Sequence, residues 1–204
     1  MNVPNSRPCR LCVAVRDATT PGGSTFPYNR NLLETDRFVV LPSLGPFFVG
    51  HVMVVSKTHI ASLASMGTAG IQEYDHLAQL LRRAPLLAEA LEAEHGSTEM
   101  DKAGACVIHT HIHWIPGVCH CFEDIGKRLK VVDGKRLETL DSDLLPYIFT
   151  RTRRSQAVFD GRGLPSQTIR KILCDLMDRD DSDWTQWPRL DLVADTIKAW
   201  GGFR

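Results

Sequence analysis

"HTHIHWIPG", residues 109–117, spends three of the chain's eight histidines at every second position: His109, His111 and His113. In an extended strand, residues i, i+2 and i+4 share a face and each advances about 3.3 Å, so the three rings line up over roughly 13 Å. Val107 joins that face, while Ile108, Thr110, Ile112 and Trp114 project the other way, into a core. A half-buried strand accounts easily for one surface histidine and poorly for three. Imidazole ligates metals, carries protons near neutral pH and attacks phosphorus, and each use needs rings that converge on one small volume.

Two other stretches bear on the same question. "CRLC", residues 9–12, puts Cys9 and Cys12 at the spacing with which two thiolates grip one tetrahedral metal. A lone Cys-x-x-Cys is either half a zinc site or a redox pair. No βαβ pattern follows this one, which favours metal, with His59 and His109 as the natural remaining ligands. In "VGHVMVVSKTH", residues 49–59, Gly50 and His51 open an apolar strand that Lys57 and His59 close.

Composition narrows the class. With 204 residues the chain is long enough for one domain with a sizeable core, or one domain and an annex. Apolar residues make up 43% and charged residues 24%, with a formal net charge of zero. A broad electrostatic grip on nucleic acid or on an anionic membrane is therefore not expected. No apolar run approaches membrane-spanning length and the N-terminal stretch lacks the apolar core of a secretory signal, so a cytoplasmic protein is expected. In that reducing setting Cys9, Cys12, Cys106, Cys119, Cys121 and Cys174 read as ligands or buried thiols, not as a disulfide framework.

The periodicities predict strands in "RFVVLPS" (37–43) and "FFVGHVMVVSKTH" (47–59), after a polar loop at 17–30. A helix over 69–91 follows, kinked at Pro85, then a loop at 94–104 and the histidine strand at 105–116. Beyond it come a hairpin at 147–163, a helix capped near Ser166 and a last helix at 191–200. The order implies an α+β fold with an antiparallel sheet, in which a catalytic domain at 1–122 carries a C-terminal extension at 123–204 packed on it. Trp184, Trp187 and Trp200 are expected to pack that annex onto the sheet. Cys119, His120 and Cys121, read as strand positions that point apart, do not suit one ion. Ser166, Gln167 and Arg170 open a helix, where backbone donors and a guanidinium suit a phosphate.

Taken together, the chain resembles the histidine triad (HIT) superfamily of nucleotide hydrolases and transferases over roughly residues 9–117. "HTHIHWI" fits the family's His-φ-His-φ-His-φ-φ signature, φ being apolar, with Thr110 in an apolar slot. "GHVMVVSKTH" resembles its Gly-His strand and Pro-Lys-x-His element, with Ser56 in place of proline, and "CRLC" resembles the zinc-containing branches. The resemblance implies a HIT-like sheet and a structural zinc held by Cys9, Cys12, His59 and His109. It makes His111 the nucleophile, His113 a phosphate ligand and His51 its neighbour. A Gly-Gln-Ser segment that contacts phosphate in many members reads Gly104-Ala105-Cys106 here, without the glutamine and serine. Together with "EHGS" (94–97), an acidic variant of another family loop, this suggests a branch with its own substrate.

The activity so implied is hydrolysis or transfer at the α-phosphate of a nucleoside phosphate derivative, purine favoured, through a nucleotidyl-histidine, in a chain expected to form homodimers. Asn31, Leu32 and Phe38 are the candidate base contacts. The alternatives are a non-catalytic nucleotide-binding zinc protein and a metal-dependent phosphohydrolase using all three histidines.

Overall fold

The computed structural model describes residues 8–21, 26–98, 103–132, 136–140 and 146–202. Their order is α1 (Arg10–Thr19), β1 (Leu33–Glu34), β2 (Phe38–Pro42), β3 (Val52–Ser56), α2 (Gly67–Leu81) and β4 (Leu91–Gly96). Then follow β5 (His111–Ile115), α3 (Phe122–Arg128), β6 (Tyr147–Arg151), β7 (Gln156–Asp160), α4 (Thr168–Leu176) and α5 (Leu190–Gly201). The strands form one antiparallel sheet in the order β1-β2-β3-β5-β4-β6-β7, an α+β architecture. β5 lies at its centre. The sheet runs on past residue 122, because β6 of the C-terminal part pairs directly with β4, Ala93 opposite Thr150.

Cross-strand partners point to the same face, so the registers sort the core. Val52 opposite Trp114 and Val54 opposite Ile112 fall on one side. There Ile71, Tyr74, Leu77 and Leu81 of α2 bury them, at the i, i+3, i+6 and i+10 spacing of one helical stripe. On the other side Val15 of α1 meets Val39, Leu41 and Val55, and α4 brings Ile169 and Leu173 against Leu91, Ala93 and Ile115. Full burial of side chains of this size contributes roughly 1.5–3 kcal/mol each. The face between α1 and α4 carries the histidines.

Four local expectations change. The helix over 69–91 stops at Leu81, and Leu91–Gly96, read partly as helix and partly as loop, is a central strand. Pro85 cannot continue the helix, and "LEAEHG" is extended because β5 and β6 supply hydrogen bonds from both sides, overriding its helical propensity. Gly96 belongs to that pairing: a Cβ there would stand 2.2 Å from the Tyr147 ring. Residues 10–19 form α1, which takes in positions 17–19 of the loop expected at 17–30, and positions 22–25 of that loop lie outside the described residues. The same holds for 99–102 within the loop expected at 94–104. β5 begins only at His111, so His109 is not in line with the other two rings. The fourth change is Cys119–Cys121, a 3-10 turn leading into α3 and not a strand.

Under α2 the sheet buries two carboxylates. Glu92 is matched by Arg82, Arg151 and the Tyr74 hydroxyl. Glu94 has no cation among the described residues; it accepts the Leu63 N–H at 2.8 Å and the Tyr147 O–H at 2.6 Å. Burial outweighs those two donors and pushes its pKa up to about 7. The unfolded chain therefore releases this proton from the ordinary value of 4.5 upward, while the folded protein holds it until about 7. Stability from the neutral carboxyl is complete below the lower value and lost as pH rises through the upper one. Glu94→Gln, which cannot ionise, is expected to melt progressively higher than the parent as pH is raised from about 5 to about 8. Each kcal/mol corresponds to about 2–4 °C in a chain of this size. A melting difference that ignores pH contradicts the assignment.

Candidate active site and metal centre

The strand pairings gather histidines from three segments. Met53 and Ala93 flank His113 across β3 and β4, and His95 lies one residue beyond the last registered pair, Glu94 opposite Ile112. With His51 at the start of β3, these residues border a cavity of about 400 Å³. His51, His95, His111 and His113 line one region of it, and α1 contributes Arg10, Leu11, Val13, Ala14 and Asp17. Gln167, Ile169, Arg170 and Trp184 add a wall from the C-terminal annex.

Hydrogen bonds assign the tautomers. Nδ1 of His111 lies 2.6 Å from the carbonyl oxygen of His109, so Nδ1 carries the proton and Nε2 keeps its lone pair. Burial lowers the pKa of His111, only partly opposed by that bond. The Phe47 N–H donates to Nδ1 of His51 at 3.2 Å, which puts the His51 proton on Nε2. That proton faces Nδ1 of His113 at 3.1 Å, leaving Nε2–H as the remaining donor of His113. Burial first, then the Arg170 charge, brings the pKa of His51 down to about 3. His113 is held well below its ordinary value by burial and by the neighbouring His51, His111, His95 and Arg170. The pair is neutral at neutral pH, with its donors aligned in one direction.

His109 turns its ring elsewhere. Nε2 donates to the Ser56 carbonyl at 2.8 Å, leaving Nδ1 as a lone pair 3.5 Å from both Cys9 Sγ and Cys12 Sγ. Nδ1 of His59 lies 3.3 Å from Cys12 Sγ, and the four ligand atoms all fall within 4.8 Å of one another. Tetrahedral zinc, with Zn–S near 2.3 Å and Zn–N near 2.0–2.1 Å, sets its ligand atoms about 3.5 Å apart, so this donor set fits such an ion. The Ser56 carbonyl orients His109 as an outer partner orients a metal ligand. Among the described residues no other group of three or more such side chains converges, and His111 and His113 are not part of this one. Thr110 donates both its N–H and its hydroxyl to the Ile60 carbonyl, at 2.7 and 3.0 Å. That bond fastens the segment bearing His59, which explains a polar residue in an apolar slot.

The remaining expected residues divide. Gly104, Cys106 and Gln167 line the cavity, whereas Ala105 is buried outside its wall. Asn31 is not part of the wall; Asn29 is, and it donates to Asp17 at 3.2 Å. Leu32 and Phe38 belong to the core under α2. Arg170 reaches the wall, but its guanidinium donates to the carbonyls of Gly45 and Asp181 and lies 4.5 Å over the Phe47 ring. Ser166 does not cap α4; the residue before that helix is Gln167, in a left-handed conformation with its N–H on the Gly104 carbonyl. His95, Arg10, Asp17 and Trp184 line the cavity without being among the expected site residues. Only reading 91–96 as a strand would have placed His95, two residues from Ala93, on the histidine face.

Residues 28–120 match the family model of the HIT domain. No functionally curated protein matches the chain. Among solved structures the chain is similar to a Zn-bound histidine triad family protein from Mycobacterium smegmatis, at 22% identity over 53% of this chain and 74% of that one, TM-score 0.39. A HIT family hydrolase from Clostridium thermocellum is 16% identical over 57% of this chain and 94% of the other, TM-score 0.40. A member of the HIT family from Bacillus subtilis is 18% identical over 62% and 100%, TM-score 0.39.

The hydrogen bonds fix an expectation for nitrogen-detected NMR of the imidazoles. His51 should appear as the neutral Nε2–H tautomer at neutral pH. Because its pKa is lowered, it should remain neutral when the pH falls to about 5. A His51 ring that titrates near the ordinary 6.5 contradicts the arrangement.

Proposed function

We propose, from the premise that residues 28–120 are a HIT domain, that this chain hydrolyses or transfers a nucleotidyl group through a covalent bond to His111. Nε2 of His111 attacks the α-phosphorus of a nucleoside phosphate derivative and forms a P–N bond. The bond from phosphorus to the leaving group breaks, and its electron pair departs with that group. Water or another acceptor then attacks phosphorus, loses its proton and returns the pair of the P–N bond to Nε2. The observation that carries this reading is the 2.6 Å bond from Nδ1–H of His111 to the His109 carbonyl, which leaves Nε2 unprotonated. Nε2–H of His113, backed by His51 and the Phe47 N–H, supports a role in steadying a non-bridging phosphate oxygen.

Zinc at Cys9, Cys12, His59 and His109 is structural in this reading, since all four positions of a tetrahedron are taken by protein. It presupposes reduced thiols, as in a cytoplasmic compartment. Among the described residues no helix is long and apolar enough to cross a membrane. Residues 1–122 hold the chemistry and 123–204 add a wall to the cavity. That division is one of function, because β6 pairs with β4 within a single sheet. Purine preference and a homodimer remain part of the proposal.

His111→Ala should lower turnover of a nucleoside phosphoramidate or anhydride by at least about a thousand-fold, with melting temperature and metal content unchanged. Full activity in that variant overturns the reading. Elemental analysis of the parent should give one equivalent of zinc, and Cys12→Ser should lose it and melt several degrees lower. Unchanged zinc content would remove the metal assignment.

A further inference from the structure

The cavity has a wall that the HIT-matching segment does not supply. Residues 28–120 end before the annex, yet Trp184 borders the same space as His111 and His113. The other three tryptophans are committed elsewhere. Trp114 is fully buried under α2, Trp200 donates its indole N–H to the Leu32 carbonyl at 3.0 Å, and Trp187 is 48% exposed and not part of the wall.

Trp184 is held in place from two sides. Arg10 of α1 sets its guanidinium 5.3 Å from the centre of the indole ring, linking the annex to the helix that carries Cys12. At the root of the side chain, the backbone of Gly45 is clamped by the annex: its N–H donates to the Pro188 carbonyl at 2.9 Å and its carbonyl accepts from Arg170. Trp184 comes so close that a Cβ on Gly45 would stand 2.5 Å from Trp184 Cβ, and the φ of +62° also suits glycine there. The turn itself is fixed by Asp183, whose carboxylate accepts the N–H and hydroxyl of Thr185. An exposed packing residue needs none of this. A flat π surface held rigid in the wall of a cavity is what a stacked ring requires.

We propose that Trp184 is a specificity-determining residue: its indole is the surface on which the heterocyclic base of the substrate stacks. The assignment rests on the nucleotide reading above. It gives the annex a binding role in place of the packing role expected for its tryptophans.

The test is calorimetric binding of a nucleoside 5′-monophosphate and of ribose 5-phosphate, which lacks the base, to the full-length parent, Trp184→Ala and Trp184→Phe. Trp184→Ala should weaken the nucleotide by about tenfold or more and leave ribose 5-phosphate unchanged. Trp184→Phe should restore most of the affinity, while losing the nucleotide-induced quenching of tryptophan emission expected of the parent. Equal weakening of both ligands, or nucleotide affinity independent of position 184, overturns the stacking role and leaves the function standing. A parent that binds neither a purine nor a pyrimidine nucleotide overturns both.

Discussion

His109 joins two clusters of side chains, and the rest of the arrangement depends on that. Its ring points Nδ1 at Cys9 and Cys12, while its carbonyl oxygen takes the proton on Nδ1 of His111. The ring and the carbonyl hang from one Cα. Anchoring the ring therefore narrows the positions open to the carbonyl that decides which nitrogen of His111 is free. The even spacing of the histidines looked like three rings in a row. What the molecule uses is a break in the row, with β5 beginning at His111 and His109 turned aside.

Around that residue the structure closes in layers. Thr110 pins the segment of His59 from one side, and the Ser56 carbonyl sets the ring of His109 from the other. α1 then presents three faces: Cys12 toward the cluster, Val15 into the core, and Arg10, Val13, Ala14 and Asp17, at i, i+3, i+4 and i+7, toward the cavity. The annex acts through the loop before β3. Arg170 spends its donors on backbone carbonyls, where they hold the loop whose Phe47 N–H orients His51. A cation in the wall of the cavity thus has a mechanical role, and its charge also helps to keep His51 neutral.

What could be read in the sequence followed from local pattern. Alternation in "HTHIHWI", the Gly-His strand and the Cys-x-x-Cys spacing are properties of neighbouring residues, and the α+β order came from them. The failures are non-local. "LEAEHG" has the composition of a helix and is a strand only because two partners flank it, and His95 was lost with it. Nothing near Arg170 in the chain reveals that its partners are the carbonyls of Gly45 and Asp181. Trp184 reaches the cavity because Gly45, far from it in sequence, leaves room.

In the proposed reaction the nucleotidyl group passes through Nε2 of His111. Rapid quenching of a turnover reaction into base, which preserves a phosphoramidate, followed by peptide mass spectrometry tests it most directly. One nucleotidyl mass is expected on the peptide containing residues 109–113, with fragmentation placing it on His111. Turnover without any adduct, or an adduct on His109 or His113, would contradict it.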